Sequence, residues 1–491
     1  MPRSNRGPDS IDTQRHRPDN PRVTTGGAPT PGQTRFPALT AVVTGCRSCA
    51  GVVRRWLSST RGKALAVLGV VVGLILLALA VVGVPHILGG RPIELATSLP
   101  QSAIQSVEDP AFAETFELVT GTGFTDGNGV EILSNGDETF PRLLTDLRGA
   151  RYSITVQMYY AAEGAVMDSI LAVLSTRARH GVRVFFLYDA FGSSALPEWY
   201  IDSLRAAGAE VTPFRPIRWY ALDRAYHRSH ARGIVIDGAI GYTGGLGFDD
   251  KWLGSGRRAD EWRETNVPFT GPAVLPAQAS FVNKWAEATG TILTGTEMLV
   301  RSHSESAGGV RAAFLHSPPS IGGTAAERML VFAIATARRK LWITNPYFVP
   351  SPEMVRGLAQ AAARGVDVRL LTNGEASDVT VTLLAGRSQY EVLLSAGVRI
   401  YEYRAGVLHA KTFVIDSLLS SIGTMNFDNR SLAFNNEVAL ATLDPQLAGE
   451  MMTHFEADIR YAREIELAGF RDRSFITRWK EAASYLFSRI L

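Results

Sequence analysis

Cysteine is nearly absent from this sequence. The chain has 491 residues and two cysteines, Cys46 and Cys49, and both lie near the N-terminus. The rest of the chain therefore has no disulfide framework and no cysteine nucleophile. The Cys-x-x-Cys spacing would suit redox chemistry or half of a metal site, but no second cysteine pair or histidine cluster lies nearby. We predict neither function for it.

A strong overall charge is also absent, since the formal net charge is +3. Residues 1–63 contain eleven Arg and Lys against three Asp, which gives this segment +8 and leaves −5 for the rest of the chain. A mildly acidic folded part lacks the basic surface of a general nucleic-acid binder. We therefore expect no nucleic-acid partner.

Charged residues are missing from one long stretch, residues 64–84, which is an unbroken run of apolar residues and glycine. As a helix this run would span about 30 Å, the thickness of a bilayer core. A cleaved signal peptide would have a shorter apolar region and would not follow a long basic leader. We predict a disordered basic segment over residues 1–60 and a transmembrane helix over residues 64–84. The preceding Arg and Lys residues predict a cytoplasmic N-terminus, with the remainder of this single-pass protein on the other side of the membrane.

From about residue 112 onward, strand-like and helix-like segments alternate and then repeat. KLWITNPYF at 340–348 matches SITVQMYY at 153–160, and GVDVRLL at 365–371 matches GVRVFFL at 181–187. Alternation of this kind predicts an α/β fold, and the repeat indicates a duplication. We expect two similar lobes packed with pseudo-two-fold symmetry, each a mixed, largely parallel sheet flanked by helices.

The expected lobes comprise residues 112–300 and residues 310–465. Residues 470–491 predict an amphipathic C-terminal helix, because their apolar residues recur with helical spacing. This helix would either dock on the second lobe or lie at a membrane interface.

Two histidine motifs occupy equivalent positions in the repeat: HARGIVID begins at His230 and HAKTFVID at His409. Residues i and i+2 of a strand share a face, so Arg232 should lie beside His230 and Lys411 beside His409. Such a pair suits phosphate chemistry, because the imidazole attacks or donates a proton while the cation binds the non-bridging oxygens. One such motif is more often structural, but two at equivalent places predict a single active site.

These motifs resemble the paired His-x-Lys-x4-Asp motifs of the phospholipase D superfamily, and within it the bacterial cardiolipin synthase group. The first motif ends at Asp237 and the second at Asp416. The resemblance implies that Asn426 binds phosphate and that a later acid in each copy orients the histidine. Glu437 suits that role in the second copy and Glu264 in the first.

Two positions depart from the family pattern. Arg232 replaces the first lysine; it keeps the charge, but its planar fork reaches differently from an ammonium group. Gly247 stands where the family usually has the first-copy asparagine, so the first half of the site lacks one phosphate ligand. These departures leave open the hypothesis that the enzyme is catalytically weakened.

The resemblance implies a two-step reaction without metal or cofactor, in which His230 attacks phosphorus and His409 acts as acid and base. We expect the two motif aspartates to support the motifs through hydrogen bonds. The candidate catalytic residues are His230, Arg232, Asp237, His409, Lys411 and Asp416, and the candidate binding or orienting residues are Asn426, Glu437 and Glu264.

The leading hypothesis is a membrane-anchored phosphatidyltransferase or phospholipase that acts on glycerophospholipids. The alternatives are a nuclease or other phosphodiesterase that uses the same motifs, and a catalytically weakened lipid-binding protein. The sequence does not separate transfer from hydrolysis, because that choice depends on whether water or an alcohol reaches the intermediate.

Overall fold

The computed structural model describes residues 63–65, 67–76, 93, 105–216, 227–298, 307–320 and 323–488. Residues 1–78 and 79–491 form two separate units. In the first unit, residues 63–65 and 67–76 are helical. The expected disordered segment 1–60 lies outside the described residues, as do residues 66 and 77–84 of the expected transmembrane helix. Among the residues that are described, no helix combines the length and the apolarity needed to cross a membrane.

The larger unit alternates strands and helices. Its strands are β1 (Thr125–Val130), β2 (Leu133–Ser134), β3 (Ser153–Met158), β4 (Arg183–Asp189), β5 (Glu210–Phe214), β6 (Gly233–Ile236), β7 (Ile240–Gly244), β8 (Trp262–Arg263), β9 (Thr265–Thr270), β10 (Val310–Ser317), β11 (Lys340–Thr344), β12 (Asp367–Asn373), β13 (Arg399–Tyr403), β14 (Val407–Leu408), β15 (Thr412–Ile415), β16 (Leu419–Gly423), β17 (Glu437–Leu443) and β18 (Ala462–Ile465). Its α-helices are α1 (Phe112–Thr120), α2 (Asn135–Gly149), α3 (Ala165–Arg179), α4 (Glu198–Ala206), α5 (Val274–Thr289), α6 (Ala325–Thr336), α7 (Pro352–Ala363), α8 (Thr380–Arg387), α9 (Tyr390–Ser395), α10 (Pro445–Ile459), α11 (Leu467–Arg471) and α12 (Phe475–Tyr485).

One sheet runs through both repeats. Its strand order is β18-β13-β12-β11-β15-β16-β17-β10-β1-β9-β7-β6-β3-β4-β5, with β2 paired to β9. Outward from the central β1–β10 pair, the two halves have matching strands: β9 and β17, β7 and β16, β6 and β15, and then β3-β4-β5 and β11-β12-β13. We call β1–β9 the first half and β10–β18 the second half. The repeat found in the sequence therefore corresponds to a repeat in strand order.

The sheet is mixed, as predicted, but it is not largely parallel. Parallel pairing within it is confined to β3-β4-β5 and β11-β12-β13, and the other pairings are antiparallel. The connections explain this result. Helices α3 and α4 give the β3-β4-β5 crossovers the length that parallel strands need, whereas β6 and β7 are joined by residues 237–239, a turn that can connect only antiparallel strands.

Glycines at matching positions end the first crossover helix of each half. Gly181 has φ +87° and Gly365 has φ +92°, values in the left-handed region that glycine adopts without a Cβ clash. Each glycine lies two residues before a buried strand, β4 or β12. The GVRVFFL and GVDVRLL segments therefore form the predicted helix stops and strands.

Apolar clusters cover both faces of the sheet. Helices α2, α3 and α4 pack on β3, β4 and β6 in the first half, and α6, α7 and α9 pack on β11–β13 in the second. A further cluster combines α5 and α10 with strands of both halves. Helix α1 precedes β1 in the chain but packs on the core of the second half, where the Phe112 and Phe332 rings stack 5.4 Å apart.

The C-terminal helix α12 is docked through its polar side. Glu481 is buried and forms an ion pair with Arg473, and the Tyr485 hydroxyl donates to the carbonyl of Pro350. Large apolar side chains of this segment remain exposed: Phe475 (74%), Ile476 (66%), Trp479 (63%), Leu486 (75%) and Phe487 (52%). The helix covers Phe475–Tyr485 within the expected segment 470–491, and its large apolar side chains point to solvent rather than into the second half.

The motif aspartates Asp237 and Asp416 lie at the far ends of β6 and β15 from the histidines. Both have positive φ, +54° and +50°. Each carboxylate accepts three backbone N–H groups at the start of the neighbouring strand, residues 151–153 for Asp237 and residues 338–340 for Asp416. This agrees with the expected hydrogen-bonding role. Their inclusion among the catalytic residues is corrected, because a strand length separates each aspartate from its histidine.

We expect Asp416→Ala to lower the free energy of unfolding by about 3 kcal/mol, because it leaves three backbone donors without their charged acceptor. Guanidinium denaturation followed by circular dichroism measures this loss. The control is Asp126→Ala, which removes an exposed carboxylate paired with Arg311 and should cost less than about 0.5 kcal/mol. Equal effects of the two substitutions would contradict the structural role of Asp416.

Candidate active site

The two histidine motifs begin just before their strands. The sequence predicted His and cation on a strand, but β6 starts at Gly233 and β15 at Thr412. The backbone before each strand pairs instead with the opposite half: the N–H groups of His409 and Ala410 both donate to the carbonyl of Arg263, at 2.7 and 3.1 Å. Each histidine therefore lies at the boundary between the halves.

Two short parallel contacts join the halves at the site. Strand β14, which ends at Leu408, pairs with β8, which ends at Arg263. At the equivalent place on the other side, Ser229 forms a parallel bridge with Asn436. The residue after each contact belongs to the site, so these pairings align the histidine of one half with the acid of the other.

The histidines and glutamates form crossed pairs. His230 Nδ1 lies 3.0 and 3.1 Å from the two carboxylate oxygens of Glu437. His409 Nδ1 lies 2.5 Å from Glu264 Oε2. All four side chains are buried. The sequence predicted both acids, but it placed each with the histidine of its own copy; the structure pairs each with the histidine of the other copy.

In both histidines Nδ1 contacts the glutamate, which leaves Nε2 as the other ring nitrogen. Burial, together with nearby cations such as Arg232 and Lys411, holds the pKa of His230 well below its ordinary value. Burial and Lys411 do the same to the pKa of His409. Arg232 Nη1 lies 3.2 Å from His230 Nε2. Because guanidinium has no acceptor, that Nε2 must carry the lone pair while Nδ1–H donates to Glu437.

The two acids differ in charge. Burial raises the pKa of Glu437 to about 8, against hydrogen bonds from Ser431 and Thr424 that favour its ionised form. Burial also opposes ionisation of Glu264, but the charge and hydrogen bond of His409, together with Lys411, outweigh it and lower the pKa of Glu264 to about 2. At neutral pH the acid behind His409 is a carboxylate, and the acid behind His230 is mainly protonated.

Cations surround the histidines. Lys411 Nζ donates to the carbonyl of His409, and burial lowers the pKa of this lysine to about 7. The crossed contacts bring the two motifs into one site, where burial, Arg232 and Lys411 lower the pKa of each histidine. Among the described residues, Arg232 Nε and Asn426 Oδ1 are buried without a hydrogen-bond partner. A phosphate oxygen would satisfy the Arg232 donor, so this cluster can bind an anion beside two imidazoles.

Other residues fix the histidines without belonging to the motifs. Asp189, at the end of β4, accepts the N–H of Ser229 at 2.9 Å and binds the buried Arg228 at 2.9 Å. Asn373, at the equivalent end of β12, accepts the N–H of Leu408 at 2.8 Å. Sequence reasoning left these residues out of the site, although matching polar residues at the ends of matching buried strands were a signal for them.

Aromatic rings line both histidines. Tyr159 meets His230 at 4.8 Å between ring centroids, and Tyr347 meets His409 at 6.2 Å. Trp252 and Trp262 contact His409 at 5.4 and 5.0 Å. Tyr159 is partly buried and Trp252 is fully buried, and both touch the candidate catalytic rings.

The sequence matches proteins of known family. Residues 330–459 match the family model described as "Cardiolipin synthase, PLD-like domain". The chain is 37% identical over 363 residues to a cardiolipin synthase of Geobacillus kaustophilus, covering 73% of this chain and 72% of that protein. The chain belongs to the cardiolipin synthase family of the phospholipase D superfamily. It is therefore an enzyme of the phosphatidyltransferase and phosphodiesterase class.

Further relatives extend the match. The enzyme is 36% identical to cardiolipin synthase 2 of Bacillus anthracis, and the match covers 73% of this chain and 70% of that protein. It is 31% identical to cardiolipin synthase 1 of the same species, and that match covers 83% of this chain and 80% of that protein. The crystal structure of a phosphatidylserine synthase from Haemophilus influenzae superposes with a TM-score of 0.59 at 13% identity, covering 77% of this chain and all of that one. This structure supports the fold alone.

We expect Glu264→Gln to lower the rate of phosphatidyl transfer at pH 7 by about 100-fold and Glu437→Gln by less than about 10-fold. Glutamine removes a charge only at Glu264, because Glu437 is mainly protonated below its pKa of about 8. Steady-state rates measured from pH 6 to 9 test this difference. The Glu437→Gln variant should diverge from the parent enzyme as the pH rises through 8. Equal losses at pH 7 would show that the two acids carry the same charge.

Proposed function

We propose that this enzyme transfers a phosphatidyl group between glycerophospholipids through a phosphohistidine intermediate, as a cardiolipin synthase. The single observation that carries the proposal is the pair of crossed His–Glu contacts, which engages Nδ1 of both histidines and leaves Nε2 for phosphorus, with Arg232 Nη1 3.2 Å from the Nε2 of His230. The relatives named above are cardiolipin synthases. The −5 charge of the chain beyond residue 63 favours a phospholipid over a nucleic acid as the substrate.

His230 is the proposed nucleophile. Its Nε2 lone pair attacks phosphorus, and the P–O bond to the departing alcohol breaks as the N–P bond forms. Arg232, 3.2 Å from that nitrogen, keeps the lone pair at Nε2 and can bind a non-bridging oxygen. Lys411 and Asn426 are the proposed partners of the remaining phosphate oxygens.

His409 is the proposed acid and base. The ionised Glu264 behind its Nδ1 favours the imidazolium form, and a bound phosphodiester anion favours it further. The Nε2 proton passes to the departing alkoxide. The same nitrogen then takes the proton of the acceptor hydroxyl, whose oxygen attacks phosphorus and releases His230.

Membrane attachment is the second part of the proposal. The apolar run 64–84 anchors the chain in the bacterial cell membrane with its N-terminus in the cytoplasm. The exposed apolar residues of helix α12, with the exposed cations Arg478 and Lys480 beside them, suit contact with an anionic bilayer surface. We also propose that residues 112–300 and 310–465 are duplicated lobes with pseudo-two-fold symmetry, supported by the matching strand order.

Incubation with phosphatidylglycerol vesicles tests the reaction. We expect cardiolipin and glycerol as products, identified by mass spectrometry, and at least about a 1,000-fold lower rate for His230→Ala and for His409→Ala. The control is His180→Ala, an exposed histidine at the end of helix α3, which should leave the rate unchanged. Phosphatidic acid as the main product would indicate hydrolysis, and cleavage of oligonucleotides with inert lipid would indicate a nuclease.

The same reaction with phosphatidylglycerol labelled in its phosphate tests the roles of the histidines. Quenching within one turnover with detergent at neutral to mildly alkaline pH should give protein-bound label that is lost on later mild acid treatment and is absent from His230→Ala. Label attached to His409 would reverse the two roles.

A reporter on helix α12 tests the membrane contact. With Cys46 and Cys49 replaced by serine, Phe475→Cys carries an environment-sensitive fluorophore on the full chain. Reconstitution into phosphatidylglycerol vesicles should shift its emission to the blue and expose it to quenching by lipid-borne nitroxide. Leu118→Cys, an exposed position on helix α1, is the matched control. Equal, weak quenching at both positions would contradict the contact.

A further inference from the structure

The two loops that follow the histidine hairpins differ at positions that matter to the site. The first reads GGLGFDDKW from Gly244 to Trp252, and the second reads GTMNFDNRS from Gly423 to Ser431. Strands β7 and β16, which end at the first glycine of each loop, are equivalent in the sheet. Three positions therefore correspond as follows: Gly245 with Thr424, Gly247 with Asn426, and Trp252 with Ser431.

The second loop surrounds Glu437 with small polar groups. Ser431 Oγ donates to Glu437 Oε1 at 2.5 Å, and Thr424 Oγ1 donates to Glu437 Oε2. The N–H of Asn426 donates in turn to Ser431 Oγ at 2.9 Å. Two hydroxyl groups thus hold the acid that orients His230.

The first loop has neither hydroxyl group, and its glycines make room for larger neighbours. A Cβ on Gly245 would lie 2.2 Å from Glu264 Oε2, and a Cβ on Gly247 would lie 2.5 Å from Cζ3 of Trp252. The space that a side chain at residue 247 would need is therefore filled by the indole. Trp252 is 1% exposed.

Trp252 reaches both members of the Glu264–His409 pair. Its Nε1–H donates to Glu264 Oε2 at 3.4 Å, and the same oxygen lies 2.5 Å from His409 Nδ1. Its ring meets the His409 ring edge-on, with centroids 5.4 Å apart and planes at 79°. The Lys251 ammonium lies 4.7 Å from the centroid of the indole and 3.5 Å from the centroid of the Tyr160 ring. These cation–π contacts help to fix the position of the indole.

We propose that Trp252 is a positioning residue for phosphatidyl transfer, which orients Glu264 and the His409 ring in place of the polar groups that serve Glu437. This inference rests on the proposed acid–base role of His409. It also gives a physical reason for Gly247. The indole of Trp252 occupies the space that an asparagine side chain at residue 247 would need, and its N–H donates the hydrogen bond to Glu264 that corresponds to the one from Ser431 to Glu437.

The substitution Trp252→Phe tests the hydrogen bond, because phenylalanine keeps an aromatic ring and loses the N–H. We expect kcat to fall by roughly 10-fold, the scale of a lost outer-shell hydrogen bond, with KM unchanged. The pH–rate limb that belongs to His409 should also move to higher pH, because Glu264 without this donor acts more strongly on the imidazole. Burial, Lys411 and Arg232 lower the pKa of His409, whereas the charge and hydrogen bond of Glu264 raise it. A merely structural role would lower stability without moving the limb.

The matched control is Trp285→Phe, the same change at a buried tryptophan that packs on Phe185 and Phe281 in another cluster. It should leave kcat and the pH profile as they are in the parent enzyme. A Trp252→Phe variant with an unchanged kcat and an unmoved limb would overturn the inference, while the parent activity and its loss in His409→Ala would still support the proposed function.

An exchange of the loop residues gives a second, independent test. Gly247→Asn alone should lose at least about 10-fold in kcat, because its side chain meets the indole. The double variant Gly247→Asn with Trp252→Ser copies the arrangement at Asn426 and Ser431, and should recover kcat to within about threefold of the parent enzyme, with coupling between the two positions. A double variant no more active than Gly247→Asn would overturn the exchange.

Discussion

The crossed contacts between histidine and glutamate are the constraint on which this structure depends. Each imidazole comes from one half of the chain and each acid from the other, at 3.0 Å for His230 and Glu437 and 2.5 Å for His409 and Glu264. All four groups are buried, where an unpaired polar group costs several kcal/mol. The pairing therefore stabilises the assembled halves and, in the same contacts, leaves both Nε2 atoms available for phosphate chemistry.

The sheet provides the rigidity that this pairing needs. Strands β1 and β10 join the two halves into one sheet, and the short pairings of β8 with β14 and of Ser229 with Asn436 fix the final alignment at the site. The motif aspartates tie the far ends of the histidine strands to β3 and β11. A reactive nitrogen is thereby positioned by elements on both sides rather than by a flexible loop.

The two halves of the site are related but unequal. Hydroxyl groups of Thr424 and Ser431 hold Glu437, which is mainly protonated at neutral pH, whereas an ionised Glu264 lies against the indole of Trp252. Unequal environments suit the proposed roles, in which His230 attacks phosphorus and His409 transfers protons. The two residues that depart from the family pattern contribute to this difference between the halves. Arg232 contacts His230 Nε2, and Gly247 leaves room for Trp252.

Local patterns in the sequence determined the family, the α/β class and the repeat, and they singled out the candidate site residues. Period-two and helical patterns identified the strand–helix–strand units, and His230 and His409 stood out because their spacing to a cation and an aspartate recurs. The largely parallel sheet was wrong, because the short turns after the histidine strands impose antiparallel neighbours. Only the tertiary structure decided which glutamate contacts which histidine, which backbone N–H groups Asp237 and Asp416 bind, and that Trp252 contacts Glu264 and His409. These features depend on contacts between residues far apart in the chain, up to 207 positions for His230 and Glu437. A local sequence pattern cannot predict such contacts, because it does not determine which side of a shared cleft a side chain will face.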